Sequence, residues 1–316
     1  LYRNVIVSYF MLQPFIIAIV FLLGLGVGSF INVITIRFQP DKNIPFTQLV
    51  GGRSRCNFCG HQLKWYDLIP LFSFIFLKGK CRYCGKKISW QYPIVELLTA
   101  LIFSGVTYRL LRLDAIRLVI ATGSIPFWVW FAILLFLFYS AILIILSIID
   151  IKHYLLPDKY IYSAMGVAVI ADVIFYGLSK TKKFNFPSCG LNFLSSYMDY
   201  FNCQFNVLIS YLLGAAAVGG FLFIIYLLTK GRGMGLGDVK LGLLIGLMLG
   251  LTNGLLALIA AFIIGSFVGI ILLASKKKAL KDWVPFGPFL ALGVFVAIFW
   301  GSFLVESYLS IFNYLI

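Results

Sequence analysis

Eight apolar runs separated by short polar segments dominate this chain and leave it few ways to fold. They are Pro14–Ile36, Tyr92–Leu111, Phe127–Ile149, Tyr160–Leu178, Val207–Leu228, Val239–Leu251, Leu255–Ala274 and Phe286–Val305. A helix needs about 20 apolar residues to cross roughly 30 Å of hydrocarbon, and most of the runs reach that length. Only 12% of residues are charged, about half the share found in soluble domains, so lipid rather than a large water-facing core hides the apolar surface. The expected fold is an all-α polytopic membrane protein of about eight transmembrane helices. The first run is too long and too glycine-rich for a signal-peptide core, and it is read as a retained span. The sixth run is short. Its 13 residues reach about 20 Å, so either the bilayer thins there or the run starts below the surface, beside a wet cavity. Thr252, Asn253 and Gly254 supply a turn into the seventh run.

The net charge of +15 would suggest nucleic acid in a soluble protein, where a basic stripe with stacking aromatics is expected. Here the basic residues gather in alternate segments between runs, as the positive-inside rule requires. With the N-terminus outside, 19 of the 26 lysines and arginines fall in inner segments and 7 in outer ones. The expected partner is therefore the lipid bilayer, with no nucleic acid; the resemblance given below implies that this is the inner membrane of a bacterium. The organisation expected is a first transmembrane helix at 1–36, a polar cytoplasmic insert at 37–91 and a membrane core at 92–316. A loop at 179–206, expected outside, carries Cys189 and Cys203, for which a disulfide and coincidence stay equally open.

The insert contains Cys56-Asn-Phe-Cys59 and Cys81-Arg-Tyr-Cys84, each pair followed by a glycine, Gly60 or Gly85. Two thiolates at that spacing can face one cation, and two such knuckles complete a tetrahedral site for structural Zn2+. A reducing cytoplasm argues against paired disulfides. Zinc would help fold a segment too small for a large core. Four thiolates leave no open coordination position, so this metal is not expected to catalyse. His61 is a neighbouring substitute ligand, more simply read as solvated.

Eleven acidic residues are few enough to weigh singly, since an ionisable group at membrane depth is a functional candidate. Asp150 closes an apolar run and Asp238 opens another, both at the inner edge, so they can converge. Two carboxylates sharing one proton can activate water and protonate a leaving amine. Structural alternatives stand beside this reading: Asp150 can pair with Lys152, Asp238 with Lys240, and Asp158 after Pro157 can cap a helix. The alternating Gly231, Gly233, Gly235 and Gly237 before Asp238 let backbone approach a substrate strand or another helix. Gly24, Gly26 and Gly28 are read as helix packing. Asp41, Asp67 and Asp282 are expected to be solvated, and Asp114, Asp172, Asp199 and Glu306 to lie near outer ends. Glu96, one turn into the second span, either binds a positive group on a substrate or pairs with an arginine such as Arg37.

At this point the residues resemble a known family, the bifunctional type IV prepilin peptidases (leader peptidase and N-methyltransferase), over nearly the whole chain. The similarity is carried by Gly28-Ser29-Phe30-Ile31-Asn32-Val33 with Arg37, and by Ser54-Arg55-Cys56 and His61. It continues through Trp65-Tyr66-Asp67-Leu68-Ile69-Pro70-Leu71, Gly79-Lys80-Cys81-Arg82-Tyr83-Cys84-Gly85 and Tyr92-Pro93-Ile94-Val95-Glu96-Leu97-Leu98. Asp150 with Leu156-Pro157-Asp158, Gly233-Met234-Gly235-Leu236-Gly237-Asp238-Val239-Lys240-Leu241 (a GxGD motif) and Pro285-Phe286-Gly287-Pro288-Phe289 complete it. The resemblance implies that Asp150 and Asp238 are the catalytic pair of an aspartyl endopeptidase. It implies cleavage of type IV prepilins or secretion pseudopilins after the leader glycine, then methylation of the new N-terminus from S-adenosylmethionine. It also carries the four cysteines over as the zinc set. Asn57, Phe38-Gln39-Pro40 and the length of the 179–206 loop depart from the pattern without touching the acids. No soluble-methyltransferase fingerprint is present, so a methyl-donor pocket is not placed. The rival readings are a membrane transporter, which predicts acids near mid-bilayer and paired repeats of discontinuous helices, and a non-enzymatic secretion scaffold with a zinc ribbon.

Overall fold

The computed structural model describes residues 2–40, 42, 45–111, 127–180, 207–275 and 283–313. Among these no strand forms, and the two β-bridges, Arg55 with Gln62 and Lys80 with Lys87, are isolated. The helices are α1 (Tyr2–Arg37), α2 (Phe46–Val50), α3 (Phe72–Phe76), α4 (Gln91–Leu110), α5 (Phe127–His153), α6 (Asp158–Lys180), α7 (Val207–Leu228), α8 (Leu236–Ala274) and α9 (Gly287–Asn313). Seven of them are long and apolar enough to cross a membrane. With no water in the hydrocarbon, helices satisfy their own backbone groups, and apolar residues on every face suit burial by lipid and by neighbouring helices. The chain divides into two compact units, Leu1–Ile145 and Leu146–Ile316. Cys189, Cys203, Asp41, Asp114, Asp199 and Asp282 lie outside the described residues.

In the first unit α1 packs against α4 at close range. A Cβ on Gly24 would sit 2.6 Å from the Ala100 Cα, and one on Gly28 would sit 2.7 Å from the Glu96 Cα. Gly26 has nothing within 4 Å, so only the glycines four residues apart form the expected packing face. One turn on, the buried Asn32 amide donates to the Tyr92 carbonyl (3.1 Å) and accepts from Gln91 Nε2 (3.3 Å). Sequence similarity in this stretch therefore has a structural meaning: it aligns two spans.

In the second unit the expected sixth and seventh runs form one assigned helix, α8, broken at Gly250 (φ 74°, ψ −174°). The break reverses the chain. A Cβ on Gly254 would sit 3.5 Å from the Gly246 Cα, whereas residues eight apart in a straight helix are separated by about 12 Å. The arms are thus an antiparallel hairpin. The first runs down α7, with Gly246 against Gly214 and Gly242 against Leu222, and the second returns beside Val218 and Phe221. The turn lies at Gly250, not at Thr252–Gly254, because glycine alone tolerates that positive φ. From Asp238 to Gly250 is about 18 Å of helix, so the short first arm reverses before completing a crossing. Non-helical backbone at such depth survives only where protein covers it, and Gly250 is buried beside Ser210 and Tyr211. Asp172 in α6, expected near an outer end, is 6% exposed and within electrostatic range of Tyr211. The second arm packs on α9, where a Cβ on Gly293 would meet the Ala257 carbonyl oxygen.

The α7–α8 contact leaves no room for a methyl group. Gly246→Ala places a Cβ 2.3 Å from Gly214 backbone and should destabilise the unit by about 1–3 kcal/mol, read as a lowered thermal midpoint in detergent. Gly220→Ala, with nothing within 4 Å, should leave the midpoint unchanged or slightly raised.

Candidate active site and metal centre

Asp150 occupies the last full turn of α5. Tyr154 adopts a left-handed conformation (φ 54°) while its N–H still bonds the Asp150 carbonyl (2.8 Å), which ends the helix. Leu155, Leu156 and Pro157 then lead into α6. The Asp150 side chain is 5% exposed, and its Oδ2 accepts the Gly287 N–H at 2.9 Å. Gly287 is the first residue of α9, so this carboxylate faces a helix N-terminus, where unpaired N–H groups and the helix dipole favour negative charge. Any side chain at Gly287 would collide with it, since a Cβ there sits 2.7 Å from Asp150 Oδ2.

Asp238 lies in the first turn of α8, and its Oδ2 accepts the Gly235 N–H at 3.2 Å. Leu156 links the two acids. It lies 3.0 Å from a Cβ built on Gly237 and 3.3 Å from one built on Gly287, each glycine adjoining or bonding one carboxylate. The acids are within electrostatic range of each other. Among the described residues no protein hydrogen bond falls on Oδ1 of either. Two carboxylates from different helices, each held through one oxygen with the other available, can orient a water molecule between them.

The remaining candidates resolve variously. Lys240 pairs with Asp158 at 2.7 and 2.8 Å, not with Asp238, so Asp158 ties the start of α6 to the start of α8 and does more than cap a helix. Gly233 packs on Thr229, Gly235 donates to Asp238, and Gly237 receives Leu156; their close approaches are to this chain's own groups. Glu96 is 6% exposed in the first unit. Its Oε2 accepts the Leu71 N–H at 2.9 Å, and the Ser29 hydroxyl also bonds it. Arg37 instead donates to the Leu49 and Gly51 carbonyls, so it is not the partner of Glu96. Sequence reasoning missed Gly287 as the donor to Asp150. The local signal was a glycine between Pro285 and Pro288 at a helix start.

The four cysteines converge. Their Sγ atoms lie within 4.8 Å of one another, with Cys56 to Cys84 at 3.9 Å. A tetrahedral zinc with Zn–S bonds of about 2.3 Å needs sulfurs about 3.8 Å apart, so the set fits the ion. The knuckles are near copies. Gly60 N–H bonds the Cys56 carbonyl and Gly85 N–H the Cys81 carbonyl, both at 2.9 Å, and both glycines have positive φ. Burial alone would raise the Cys56 thiol pKa, but N–H groups of Cys59 and Phe58 outweigh it and bring it down to about 6. His61 stacks on Tyr83 (3.7 Å) and stays outside the quartet. Asp67, expected to be solvated, has a 3% exposed side chain that accepts from Arg82 (2.7 Å), Tyr83 (3.1 Å) and the Lys64 N–H (3.2 Å). Burial opposes ionisation there, yet these donors hold the carboxyl below its usual range and fasten the Trp65–Leu68 turn to the second knuckle.

Residues 22–110 match the model of the bacterial peptidase A24 N-terminal domain, and residues 137–270 match that of the type IV leader peptidase family. The chain is 30% identical over 305 residues to a protein of Xanthomonas campestris pv. campestris named prepilin leader peptidase/N-methyltransferase, covering 91% of this chain and 92% of the relative. Proteins with the same name from Aeromonas hydrophila (29% identity, 93% and 94% coverage) and Pseudomonas aeruginosa (26%, 92% and 92%) are similar. No solved structure gives a significant match.

Purified protein should contain about one zinc per chain by elemental analysis, because a closed four-thiolate site takes one ion. Cys81→Ser should remove most of it and open the insert to trypsin. Protons compete for thiolates, so zinc retention should fall as the pH is lowered into the acid range.

Proposed function

The chain belongs to the type IV leader peptidase family, and from that premise we propose that it removes the leader of type IV prepilins and pseudopilins with Asp150 and Asp238 and then methylates the new N-terminus. It does so as a multi-pass protein of a bacterial inner membrane, with the zinc insert facing the cytoplasm. The observation that carries the reading is the pair of carboxylates, one at the end of α5 bonded to the start of α9 and one in the first turn of α8, within electrostatic range of each other. A transporter or a non-enzymatic scaffold is the poorer account of a chain in this family.

The chemistry follows from the pair. Two neighbouring carboxylates share a single proton, because like charges so placed do not both ionise. The ionised member takes a proton from a water whose oxygen attacks the scissile carbonyl carbon, and the protonated member gives its proton to the carbonyl oxygen. In collapse of the tetrahedral intermediate the C–N bond breaks, and the carboxyl that took the water proton gives it to the departing amine. A hydroxyl of the intermediate returns its proton to the other carboxylate as the carbonyl re-forms, which restores the pair. Gly287 N–H and Gly235 N–H hold the carboxylates during these exchanges. The hydrophobic helix of the substrate packs laterally among the spans and presents its junction at the inner surface.

Methyl transfer needs a site for S-adenosylmethionine, which supplies an electrophilic methyl group on a positive sulfur. The first unit contains a cavity of about 1130 Å³ lined by Glu96, Phe74, Trp90, Tyr92, Arg53 and Arg55 among others. Its chemistry fits that cofactor: aromatic faces for a purine, arginines for a carboxylate, and the Glu96 carboxylate for a positive centre. On this reading Glu96 holds a cationic group of the donor or the newly freed amine.

Asp150→Asn and Asp238→Asn should each lower leader removal by about a hundredfold or more, measured by prepilin mobility shift, with zinc content and thermal midpoint unchanged. Cleavage at the normal rate in either variant overturns the assignment. Glu96→Gln should leave cleavage intact while reducing incorporation of labelled methyl by about tenfold or more, as expected for a lost charge-assisted contact.

A further inference from the structure

The short helix α3 of the insert has an unexplained apolar surface. Phe72, Ile75 and Phe76 are 54%, 68% and 81% exposed, and the nearby Trp90 is 69% exposed. Four large side chains so placed in water would form a patch of the kind that marks an interaction site. Their depth identifies what covers them. The 20 residues of α4, Gln91–Leu110, extend about 30 Å, which is the hydrocarbon thickness, so both ends of α4 lie at its boundaries. Glu96, five residues in, is about 7–8 Å along the helix. Its carboxylate bonds the Leu71 N–H, the residue immediately before α3. Helix α3 therefore starts at the level of the first turns of a span, among acyl chains and headgroups, where amphipathic elements lie flat.

A groove of about 640 Å³ separates α3 from α4, lined by Ile75, Lys78, Lys80, Lys87, Ile94 and Leu97 among others. Ile94 and Leu97 continue along the exposed face of α4 through Leu98 and Leu101, so the groove opens onto that face. Its lining includes three exposed lysines, Lys78, Lys80 and Lys87. Lys80 and Lys87 are partners in an antiparallel bridge, which sets two like charges side by side at a cost. Among the described residues no carboxylate pairs with Lys78, Lys80 or Lys87. An apolar groove at interfacial depth whose lining also carries three unneutralised lysines is complementary to one class of molecule.

We propose that this groove seats an anionic phospholipid of the adjoining leaflet, its phosphate at Lys78, Lys80 and Lys87 and an acyl chain along Ile94 and Leu97. The bound lipid fixes α3, and through Leu71 and Glu96 the floor of the insert, against the membrane. This assignment stands independently of the peptidase reading.

The test uses the full-length protein with its zinc in place. In native mass spectrometry with equal phosphatidylglycerol and phosphatidylcholine, the wild type should retain phosphatidylglycerol about fivefold or more over phosphatidylcholine. K78E/K87E should lose that preference, while the charge-matched K152E/K159E keeps it. In nanodiscs, amide exchange over Phe72–Lys80 should be slower with phosphatidylglycerol than with phosphatidylcholine alone, and K78E/K87E should abolish the difference at unchanged zinc content. Equal retention of the two lipids overturns the proposal, as does undiminished phosphatidylglycerol binding by K78E/K87E. Displacement of the lipid by inorganic phosphate would reduce the groove to an anion site and also overturn it. Protection by a prepilin segment in phosphatidylcholine discs, with no effect of phosphatidylglycerol, would assign the groove to substrate instead.

Discussion

A bilayer offers no hydrogen-bond partner, and the departures from simple spanning helices in this protein are arranged around that fact. Asp150 is buried and takes an N–H from the start of α9. Glu96 is buried and takes one from the residue before α3. Gly250 interrupts α8 and lies under α7. Each acid is met by a backbone N–H from another element and the break is covered by α7, which is the condition under which such groups persist in lipid. Catalytic potential and structural necessity coincide here, because the donors that satisfy the carboxylates also hold them in place.

Glycine makes those encounters geometrically available. The α7–α8 hairpin contact and the α1–α4 contact both bring backbones closer than a methyl group permits, which is how membrane helices gain van der Waals energy without a hydrophobic driving force between them. At Gly237 and Gly287 the same absence of a side chain gives Leu156 room beside both backbones. A single leucine thus connects the α5–α6 turn to the starts of α8 and α9, and the Lys240–Asp158 pair ties α6 to α8 beside it. The glycines before Asp238 are therefore explained by packing and capping within the chain, beside any contact they make with substrate.

The insert follows a different logic. It is too small for a sufficient core, so two knuckles that share one metal geometry, a buried Asp67 and the Leu71–Glu96 bond stand in for one. Its exposed aromatic surface and its lysines make sense only with α4 beside it, since α4 fixes the depth at which they sit. The large cavity is lined both by the insert and by α1 and α4, so neither part forms it alone.

What could be read in the sequence were features carried by local pattern. Apolar runs of spanning length announced where the helices lie, though α1 starts twelve residues before the first run and α9 ends eight after the last. The paired CxxC spacing announced the cysteine quartet, and the positions of Asp150 and Asp238 at run ends pointed both acids to one edge. Tertiary structure alone decided partnerships between residues far apart in the chain. It set Asp158 against Lys240 rather than Lys240 against Asp238, Arg37 against loop carbonyls rather than Glu96, Asp67 against Arg82, Tyr83 and the Lys64 N–H rather than in water, and Gly287 against Asp150. The hairpin turn also fell at Gly250 rather than at the polar Thr252–Gly254, because the packing of both arms on α7 determined where the chain had to reverse. Periodicity and spacing report what a residue does to its own helix, whereas a buried charge selects its partner by distance in three dimensions. No stretch of sequence contains that distance.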